Sequence, residues 1–480
     1  MSMEVRNPSS GSIHLEMKEF LGEKLYEKYS DIHPLLALCT YRLRTYTGYK
    51  TFDLMYNTEE TTPRLKIYRR LLHPFVCLKN VFTRSAAGDK VMLSSTVYKS
   101  GRYAGLIENI RQNASVVQTN ASTDIEVYSK KDSVSGYISK ITGKGYGRKI
   151  LTCSSISGKK LKKAVSDWLD FYLELYKNGL DCTNCTERAT RLLDILKKEF
   201  DNRVEYVAAE LKKSEVKQYI TINQYNLRDL VLIAACRKTG AKTKQLEHHA
   251  SRFMHNIATG EDIYRLCFVD EICCWGQSEV DFHQNIYRYE SFFTDEAPEI
   301  YSVGNPEITF EQAEKANRDY PVQNRITFMV SGLLNTADTE SVQKQLNFRN
   351  EIFSRLKLLA DKTGVKILVR YPPGLDMEFR RKEESLLKDM GFEISPSDRS
   401  SLHSDICGSV CIIGTISSVL GVAALLGKPV FQITGTDEKY YITDNNIKSI
   451  TPDRISRLPV DISPSAPDTS SFMDYGKLLS

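Results

Sequence analysis

At 480 residues the chain is longer than one ordinary hydrophobic core supports, so we expect two or three domains. Apolar residues make up 41% and charged residues 26%, as in globular proteins, and a net charge of only +5 argues against a dedicated nucleic-acid-binding protein. The mildly basic balance suits anionic substrates or weak attraction to anionic lipid. Eleven cysteines without a short disulfide framework, and opening residues without an apolar signal-peptide core, predict a cytoplasmic protein.

Residues 1–88 are expected to form an N-terminal extension. The segment LEMKEFLGEKLYEKY at 15–29 predicts a helix, and YRLRTYTGYK at 41–50 interleaves aromatic with basic residues. Such a stretch either contacts a polymer or a membrane surface, or forms a helix face whose arginines extend along apolar neighbours. We interpret it as the helix face.

A first α/β domain is predicted over residues 89–310, with a helical insertion near 159–211. Short apolar runs alternate in it with amphipathic segments, the order that βαβ units require. Strands are predicted at 90–95, 114–119, 218–222, 244–247, 265–270 and 299–303, and helices at 103–112, 159–177, 186–200, 227–238 and 277–287.

A second α/β domain is predicted over residues 322–458, after a polar connector at 308–322. Its short apolar runs are separated by helices, which indicates a parallel sheet covered on both faces. Strands are predicted at 325–330, 365–370, 392–394, 410–413 and 429–433, and helices at 340–363, 380–390 and 419–426. Residues 459–480 are expected to form a tail that is either partly disordered or wraps back across the molecule.

The uncharged run at 408–427 is long enough to cross a membrane. We interpret it instead as a strand, a turn at Gly414–Ser418 and a short helix closed by Gly427 and Pro429. Backbone N–H groups at a helix start, together with hydroxyl groups, suit an anion such as a diphosphate. The alternative is ordinary helix capping without a ligand.

The segment GTISSVLGVAALLGKPVF at 414–431 resembles the nucleotide-sugar half of GT-B glycosyltransferases, which have two Rossmann-like domains. Within that class, the segment is similar to the branch of bacterial surface-polysaccharide enzymes and CDP-glycerol glycerophosphotransferases. The resemblance implies that Gly414, Thr415, Ser417 and Ser418 bind the donor diphosphate. In that branch an acidic residue often stands five positions before the glycine of Gly-Lys-Pro. That glycine is Gly427 here, and the position is occupied by Val422.

Two further segments of the second domain are similar to that branch. The strand VKILVR ends in Arg370-Tyr371-Pro372, where the branch often has a basic residue followed by His-Pro. Ser331-Gly332 matches a small-residue loop near the diphosphate. The resemblance implies donor contacts from Ser331, Gly332, Arg370 and Tyr371, and an arginine can bind phosphate bidentately. The alternative for Arg370 is a surface arginine at a strand end.

The first domain carries weaker similarities to an acceptor domain. VMLSSTVYKSGRYAGLIENI at 91–110 resembles a first strand and its glycine loop, and LEHHA at 246–250 lies where the branch often has Gln-His-Gly. An inverting transferase needs a base near the acceptor hydroxyl, and the resemblance implies His248 or His249 in that catalytic role. Asp270 and Glu271 are alternatives, with plain surface charge as the simpler interpretation of each.

The resemblance, which covers roughly residues 90–450, implies an α/β fold of two Rossmann-like domains with a helical N-terminal extension. It implies an enzyme that transfers a sugar from a nucleotide-sugar donor to a glycan or lipid-linked acceptor in bacterial surface-polysaccharide synthesis. Charge grows on the leaving diphosphate, so hydrogen-bond donors aimed at it lower the barrier, and the resemblance implies that no essential metal or other cofactor takes part. The pair Cys182-x-x-Cys185 has no second matching pair, so we predict no metal site.

Two alternatives stay open. A CDP-alditol phosphotransferase would share the fold, and a non-catalytic scaffold could retain it. Val422, Tyr371 and the unclear match of LEHHA to Gln-His-Gly favour the scaffold, whereas the serine turn, Arg370 and the paired histidines stand against it. The expected partners are the nucleotide sugar, its acceptor, and either the inner face of the cell membrane or other polysaccharide-synthesis proteins.

Overall fold

The structure is a computed structural model that describes residues 12–45, 90–94, 106–107, 110, 115–119, 149–151, 158–213, 215–247, 263–294, 296–330, 339–372, 377–396, 401–415, 417, 419–434, 447–459 and 472–480. Two all-parallel sheets with helices on their faces dominate these residues. The predicted fold class, α/β with two Rossmann-like sheets and a helical N-terminal extension, is confirmed.

The N-terminal extension folds as helices α1 (Ile13–Leu21), α2 (Glu23–Lys28) and α3 (His33–Thr45). The single helix predicted over 15–29 is wrong, because Gly22 has a φ of 74° and separates α1 from α2. A Cβ at Gly22 would lie 2.9 Å from Cγ2 of Thr183, so the bend also serves close packing.

The basic and aromatic segment that begins at Tyr41 continues helix α3 as far as Thr45, and its last five residues lie outside the described part of the chain. The ring of Tyr41 stacks on Tyr225 with centroids 5.1 Å apart. Arg42 is buried and donates to the carbonyl of Tyr225. These contacts support the helix-face interpretation of this stretch.

The first sheet runs in the order β3-β2-β1-β4-β5-β7-β9, and all its pairings are parallel. Its strands are β1 (Lys90–Leu93), β2 (Ser115–Thr119), β3 (Lys149–Leu151), β4 (Val216–Thr221), β5 (Lys242–Leu246), β7 (Glu271–Cys274) and β9 (Glu299–Ser302). The helices described beside it are α4 (Lys159–Lys177), α5 (Thr186–Lys213), α6 (Leu227–Thr239) and α7 (Gln277–Ile286). Helix α5 is longer than predicted, because its apolar face stays buried as far as Leu211.

Only the first part of the strand predicted at 265–270 is a strand in the structure. Strand β6 (Ile263–Cys267) pairs with β8 (Tyr287–Ser291) in a separate two-stranded sheet, and the main sheet continues with β7. The carboxylate of Asp270 accepts hydrogen bonds from the amide and hydroxyl of Thr243, at 2.9 and 2.7 Å. These bonds hold Asp270 beside strand β5, and the main-sheet strand begins at the next residue, Glu271.

The second sheet runs in the order β12-β11-β10-β13-β14-β15, again wholly parallel. Its strands are β10 (Arg325–Met329), β11 (Lys366–Arg370), β12 (Glu393–Ile394), β13 (Cys411–Gly414), β14 (Val430–Ile433) and β15 (Ile447–Ile450). Its helices are α8 (Phe310–Asp319), α9 (Thr339–Thr363), α10 (Met377–Asp389), α11 (Leu402–Cys407) and α12 (Val419–Leu425).

The uncharged run at 408–427 contributes strand β13 and helix α12, as the strand–turn–helix interpretation predicted. No helix in the described ranges is long and apolar enough to cross a bilayer.

The described C-terminal residues, 472–480, return to the first sheet and end in helix α13 (Tyr475–Leu479). Phe472 forms a parallel bridge with Asn305, after strand β9. The side chains of Gln218 and Lys244, on β4 and β5, donate to the carbonyls of Leu479 and Leu478 at 2.6 and 3.0 Å. Of the two alternatives for the tail, wrapping back across the molecule describes this part of it.

Gly304 makes this docking possible, because it has a φ of 84° and a Cβ there would lie 2.2 Å from the carbonyl oxygen of Phe472. We predict that Gly304→Ala lowers the free energy of unfolding by at least about 2 kcal/mol, from backbone strain and lost tail contacts. Gly364→Ala is the matched control, since Gly364 has a φ of 70° but open space around its Cβ position. Gly364→Ala should lower the free energy of unfolding by only about 1 kcal/mol. Urea denaturation measures both, and equal losses would contradict the role of the tail contact.

Candidate functional site

The strand order of the second sheet defines a crevice. Strands β10 and β13 are neighbours at its centre, and the chain proceeds outward from them to opposite edges. In open α/β sheets, ligands bind beyond the carboxyl ends of strands at such a reversal. Here those ends are Met329 and Gly414, which are partners in the strand register.

Gly414 lies close to two neighbouring elements at this edge. A Cβ there would lie 3.1 Å from the carbonyl oxygen of Met329 and 3.0 Å from Cδ2 of Leu420. Any larger residue would therefore displace strand β10 or helix α12 by a few tenths of an ångström. Close packing favours a glycine here, whether or not a ligand binds beside it.

The residues after Gly414 present hydroxyl groups at the start of helix α12. Thr415 and Ser417 are both partly exposed. The amide of Val419 donates to Oγ of Ser417 at 3.4 Å, and the amide of Leu420 donates to its carbonyl at 3.0 Å. Ser417 therefore caps the helix. Ser418, predicted with Thr415 and Ser417 to bind the donor diphosphate, lies outside the described residues.

Val422 is buried in the apolar cluster beneath helix α12. The resemblance gives an acidic side chain at this position the task of binding the donor. In this chain the position contributes to the core instead.

Arg370 ends strand β11 and is buried at the same carboxyl edge. Its Nη1 donates to Oδ2 of Asp405 at 2.5 Å, to Oγ of Ser401 at 2.8 Å and to Oγ of Ser395 at 3.1 Å. The alternative of a surface arginine is therefore wrong. The guanidinium is a fixed positive group with an internal carboxylate partner.

Tyr371, the next residue, belongs to a different set of contacts. Its ring is buried in the core of the second sheet, and the guanidinium of Arg380 lies 5.2 Å from the ring centroid. Burial and the neighbouring Glu383 carboxylate raise the pKa of the Tyr371 hydroxyl well above its usual value. Glu383 in turn forms a buried ion pair with Arg349 at 3.1 Å. The structure therefore groups Tyr371 with helices α9 and α10.

The remaining predicted site residues, His248, His249, Ser331 and Gly332, lie outside the described residues and stay predictions. Asp270 and Glu271, the alternatives to the histidines as the acceptor base, lie within the described residues.

Asp270 and Glu271 lie at the amino end of strand β7, the opposite edge from the carboxyl ends where ligands bind. Asp270 pairs with Arg237, and Glu271 pairs with Lys244 at 2.8 Å. Both are structural ion-pair partners, so neither suits the role of acceptor base.

Sequence reasoning missed a buried polar cluster at the carboxyl edge of the first sheet. Glu247 follows strand β5 directly and accepts hydrogen bonds from Gln245 at 2.7 Å and Arg265 at 2.9 Å. Glu279 and His283 lie one turn apart on helix α7. Ligand atoms of Glu247, Glu279 and His283 all lie within 4.8 Å of one another.

Trp275 joins the two sides of this cluster. Its indole Nε1 donates to the carbonyl of Glu247 at 2.7 Å, and its amide donates to Oε2 of Glu279 at 2.6 Å. Burial and the charge of Glu247 raise the pKa of Glu279 to about 8. Burial and the charge of Arg265 lower the pKa of His283 to about 3, so its imidazole is neutral at physiological pH. The spacing Glu279-x-x-x-His283, which places both side chains on one face of a helix, is the sequence pattern that could have predicted part of this cluster.

Two parallel sheets, each with a central reversal of strand order, are the pair of Rossmann-like units found in the GT-B architecture, and the predicted resemblance in fold is confirmed. The chain matches no protein-family model, and no curated protein matches it by sequence. Solved structures similar to it include glycosyltransferases and epimerases.

One of these structures is the UDP-GlcNAc 2-epimerase from Methanocaldococcus jannaschii, with 9% identity, a TM-score of 0.45, and coverage of 82% of this chain and 98% of that one. Another is a glycosyltransferase from Rickettsia africae, with 12% identity, a TM-score of 0.40, and coverage of 77% and 86%. A third is the wall teichoic acid polymerase TagF, with 12% identity, a TM-score of 0.37, and coverage of 82% and 87%. The assignment of the fold rests on the strand orders of this chain itself.

We predict that Asp405→Asn lowers the free energy of unfolding by about 3 kcal/mol, because it leaves the buried Arg370 guanidinium without its counter-charge. Glu393→Gln is the control, since Glu393 and Lys366 form an ion pair whose side chains are 46% and 71% exposed. Its effect should stay below about 1 kcal/mol. Chemical denaturation measures both, and an Asp405→Asn variant as stable as the control would show that Arg370 does not need this carboxylate.

Proposed function

We propose that the chain is a glycosyltransferase that binds a nucleotide-sugar donor at the crevice of the second sheet and transfers the sugar without a metal. The observation that carries the proposal is the strand-order reversal between β10 and β13, with a glycine turn and partly exposed hydroxyls at its carboxyl edge. This edge is where an open α/β sheet binds nucleotides.

Sugar transfer breaks the bond between the anomeric carbon and the diphosphate, and negative charge develops on the leaving oxygen. Fixed donors aimed at that charge stabilise the transition state without having to reorganise. Thr415, Ser417 and Ser418 are proposed to supply them, and Ser331 and Gly332 are proposed as further contacts of the diphosphate. His248 or His249 is proposed as the base that takes the proton of the acceptor hydroxyl.

Arg370 acts in this proposal through its charge at the carboxyl edge. Asp405, Ser395 and Ser401 hold its guanidinium in one orientation. A fixed cation near a diphosphate contributes without the entropy loss of ordering a long side chain.

The acceptor is proposed to be a glycan or a lipid-linked glycan at the inner face of the membrane. Lys159 and Lys160 are exposed at the start of helix α4, where positive charge opposes the helix dipole. Such exposed lysines suit anionic lipid headgroups, which supports a peripheral association with the membrane.

A second candidate function is a non-catalytic scaffold that keeps the fold. Two observations favour it: Val422 is buried where the resembling enzymes often place an acid, and Arg370 already has a carboxylate partner. A scaffold of this kind would bind its partners without using the donor crevice.

A thermal-shift panel separates these candidates. Millimolar UDP- and GDP-linked sugars, CMP-linked sugars and CDP-alditols are each compared with the free nucleotides. A transferase should be stabilised by one class of donor, since any ligand of the native state raises the melting temperature. A preference for CDP-alditols would indicate the phosphotransferase, whereas a chain stabilised by none of them would fit the scaffold.

We predict that Ser417→Asp weakens binding of the donor at least about tenfold, because it sets a carboxylate beside the diphosphate. Aspartate and asparagine both cap helices well, so helix α12 should persist in either variant. Ser417→Asn is therefore the neutral control and should bind the donor within about threefold of the original chain. Isothermal titration with the stabilising donor gives both affinities. If the two variants bind equally, the diphosphate does not lie at Ser417.

A further inference from the structure

We propose that Glu247, Glu279 and His283 form a zinc site that fastens helix α7 to the carboxyl end of strand β5. The three side chains are buried, with exposed fractions of 1%, 7% and 0%. This site is separate from the donor crevice and goes beyond the proposed transfer reaction, which uses no metal.

The geometry brings the ligand atoms together from two elements. Glu247 ends β5, whereas Glu279 and His283 lie at positions i and i+4 of helix α7 and so face the same side. Their ligand atoms lie within 4.8 Å of one another. In a tetrahedral zinc site the ligand atoms lie about 3.3 Å apart, a change that small side-chain rotations can make.

The carboxylate of Glu279 is the observation that points to a ligand. Its Oε2 accepts the amide of Trp275, but its Oε1 is buried and has no hydrogen-bond partner among the described residues. A buried carboxylate oxygen without a partner is costly, and native structures rarely leave one. A metal ion bound to Oε1 would remove that cost.

The surroundings orient the other two ligands as metal sites require. Arg265 and Gln245 both donate to Oε1 of Glu247 and fix its carboxylate. Nδ1 of His283 contacts the hydroxyl of Tyr289. When Nδ1–H donates to that hydroxyl oxygen, Nε2 carries the lone pair that a metal needs.

The ligand types select zinc. One imidazole nitrogen and two carboxylate oxygens suit Zn²⁺, whereas Mg²⁺ and Ca²⁺ prefer oxygen ligands alone. Three protein ligands leave a fourth position for a water molecule. Because the ligands come from separate elements, bound zinc would stabilise the carboxyl edge of the first sheet.

The test measures zinc in the full chain, purified without chelators, by elemental mass spectrometry. The original chain should hold about one zinc ion, and Glu279→Gln should lose most of it because the amide is a much poorer ligand. A double variant, Cys182→Ser with Cys185→Ser, is the control for zinc held by the cysteine pair and should keep its metal. Cobalt substitution provides a second readout, since tetrahedral Co²⁺ gives a visible spectrum that Glu279→Gln should abolish.

Thermal unfolding separates a metal from a proton on Glu279. Adding Zn²⁺ to chelator-treated protein should raise the melting temperature by roughly 5 °C in the original chain and not in Glu279→Gln. Circular dichroism in chelator verifies that the variant folds. A chain that binds no zinc would overturn the proposal, and a Glu279→Gln variant at least as stable in every buffer would then assign a proton to Glu279. Equal zinc in both chains would also overturn it.

Discussion

Parallel strand pairing is the constraint on which the rest of this structure depends. Every described pairing in the two main sheets is parallel, so all strands of one sheet end at the same edge. A helix or loop must return the chain after each strand, and the helices that do so cover both faces. The residues that end or directly follow the strands, such as Glu247, Arg370 and Gly414, therefore gather at two edges although they are far apart in sequence.

Charged side chains at these edges have internal partners. Arg370 pairs with Asp405, and Arg265 pairs with Glu247, with three of the four side chains almost fully buried. Buried ion pairs add little net stability, because removing two charges from water costs about as much as their attraction returns. Each ion pair instead fixes the orientation of its two side chains at the edge of a sheet. The carboxyl edge of the second sheet and the buried cluster of the first are thus both held by fixed charges.

The sequence revealed the regular parts of the fold because their patterns are local. The apolar runs of β10 and β11 predict those strands to within a residue at each end. Strand β15 was missed, since only its first and last residues are buried and its four residues make no distinct pattern. The break at Gly22 was also missed: its φ of 74° ends helix α1, and a Cβ there would lie 2.9 Å from Cγ2 of Thr183.

The residues of the candidate site were harder to predict, because their contacts join positions that are far apart in the sequence. Arg370 ends strand β11, as the strand pattern predicted, but its partners Ser395, Ser401 and Asp405 lie 25, 31 and 35 positions away, and its contact with a donor stays a prediction. The cluster around Glu247 joins a strand end to a helix 32 positions later, as the numbers of Glu247 and Glu279 give. Only the fold brings such residues together, and a single sequence carries no signal of their contact.

The return of residues 472–480 to the first sheet has a consequence for the order of folding. The hydrogen bond from Gln218 to Leu479 joins residues 261 positions apart. Closing so long a loop in an unstructured chain costs considerable entropy before any contact repays it. Once the second sheet has formed, the intervening chain is compact and the remaining search is short. The C-terminal contact should therefore form late, after both sheets, and act as the final step of folding.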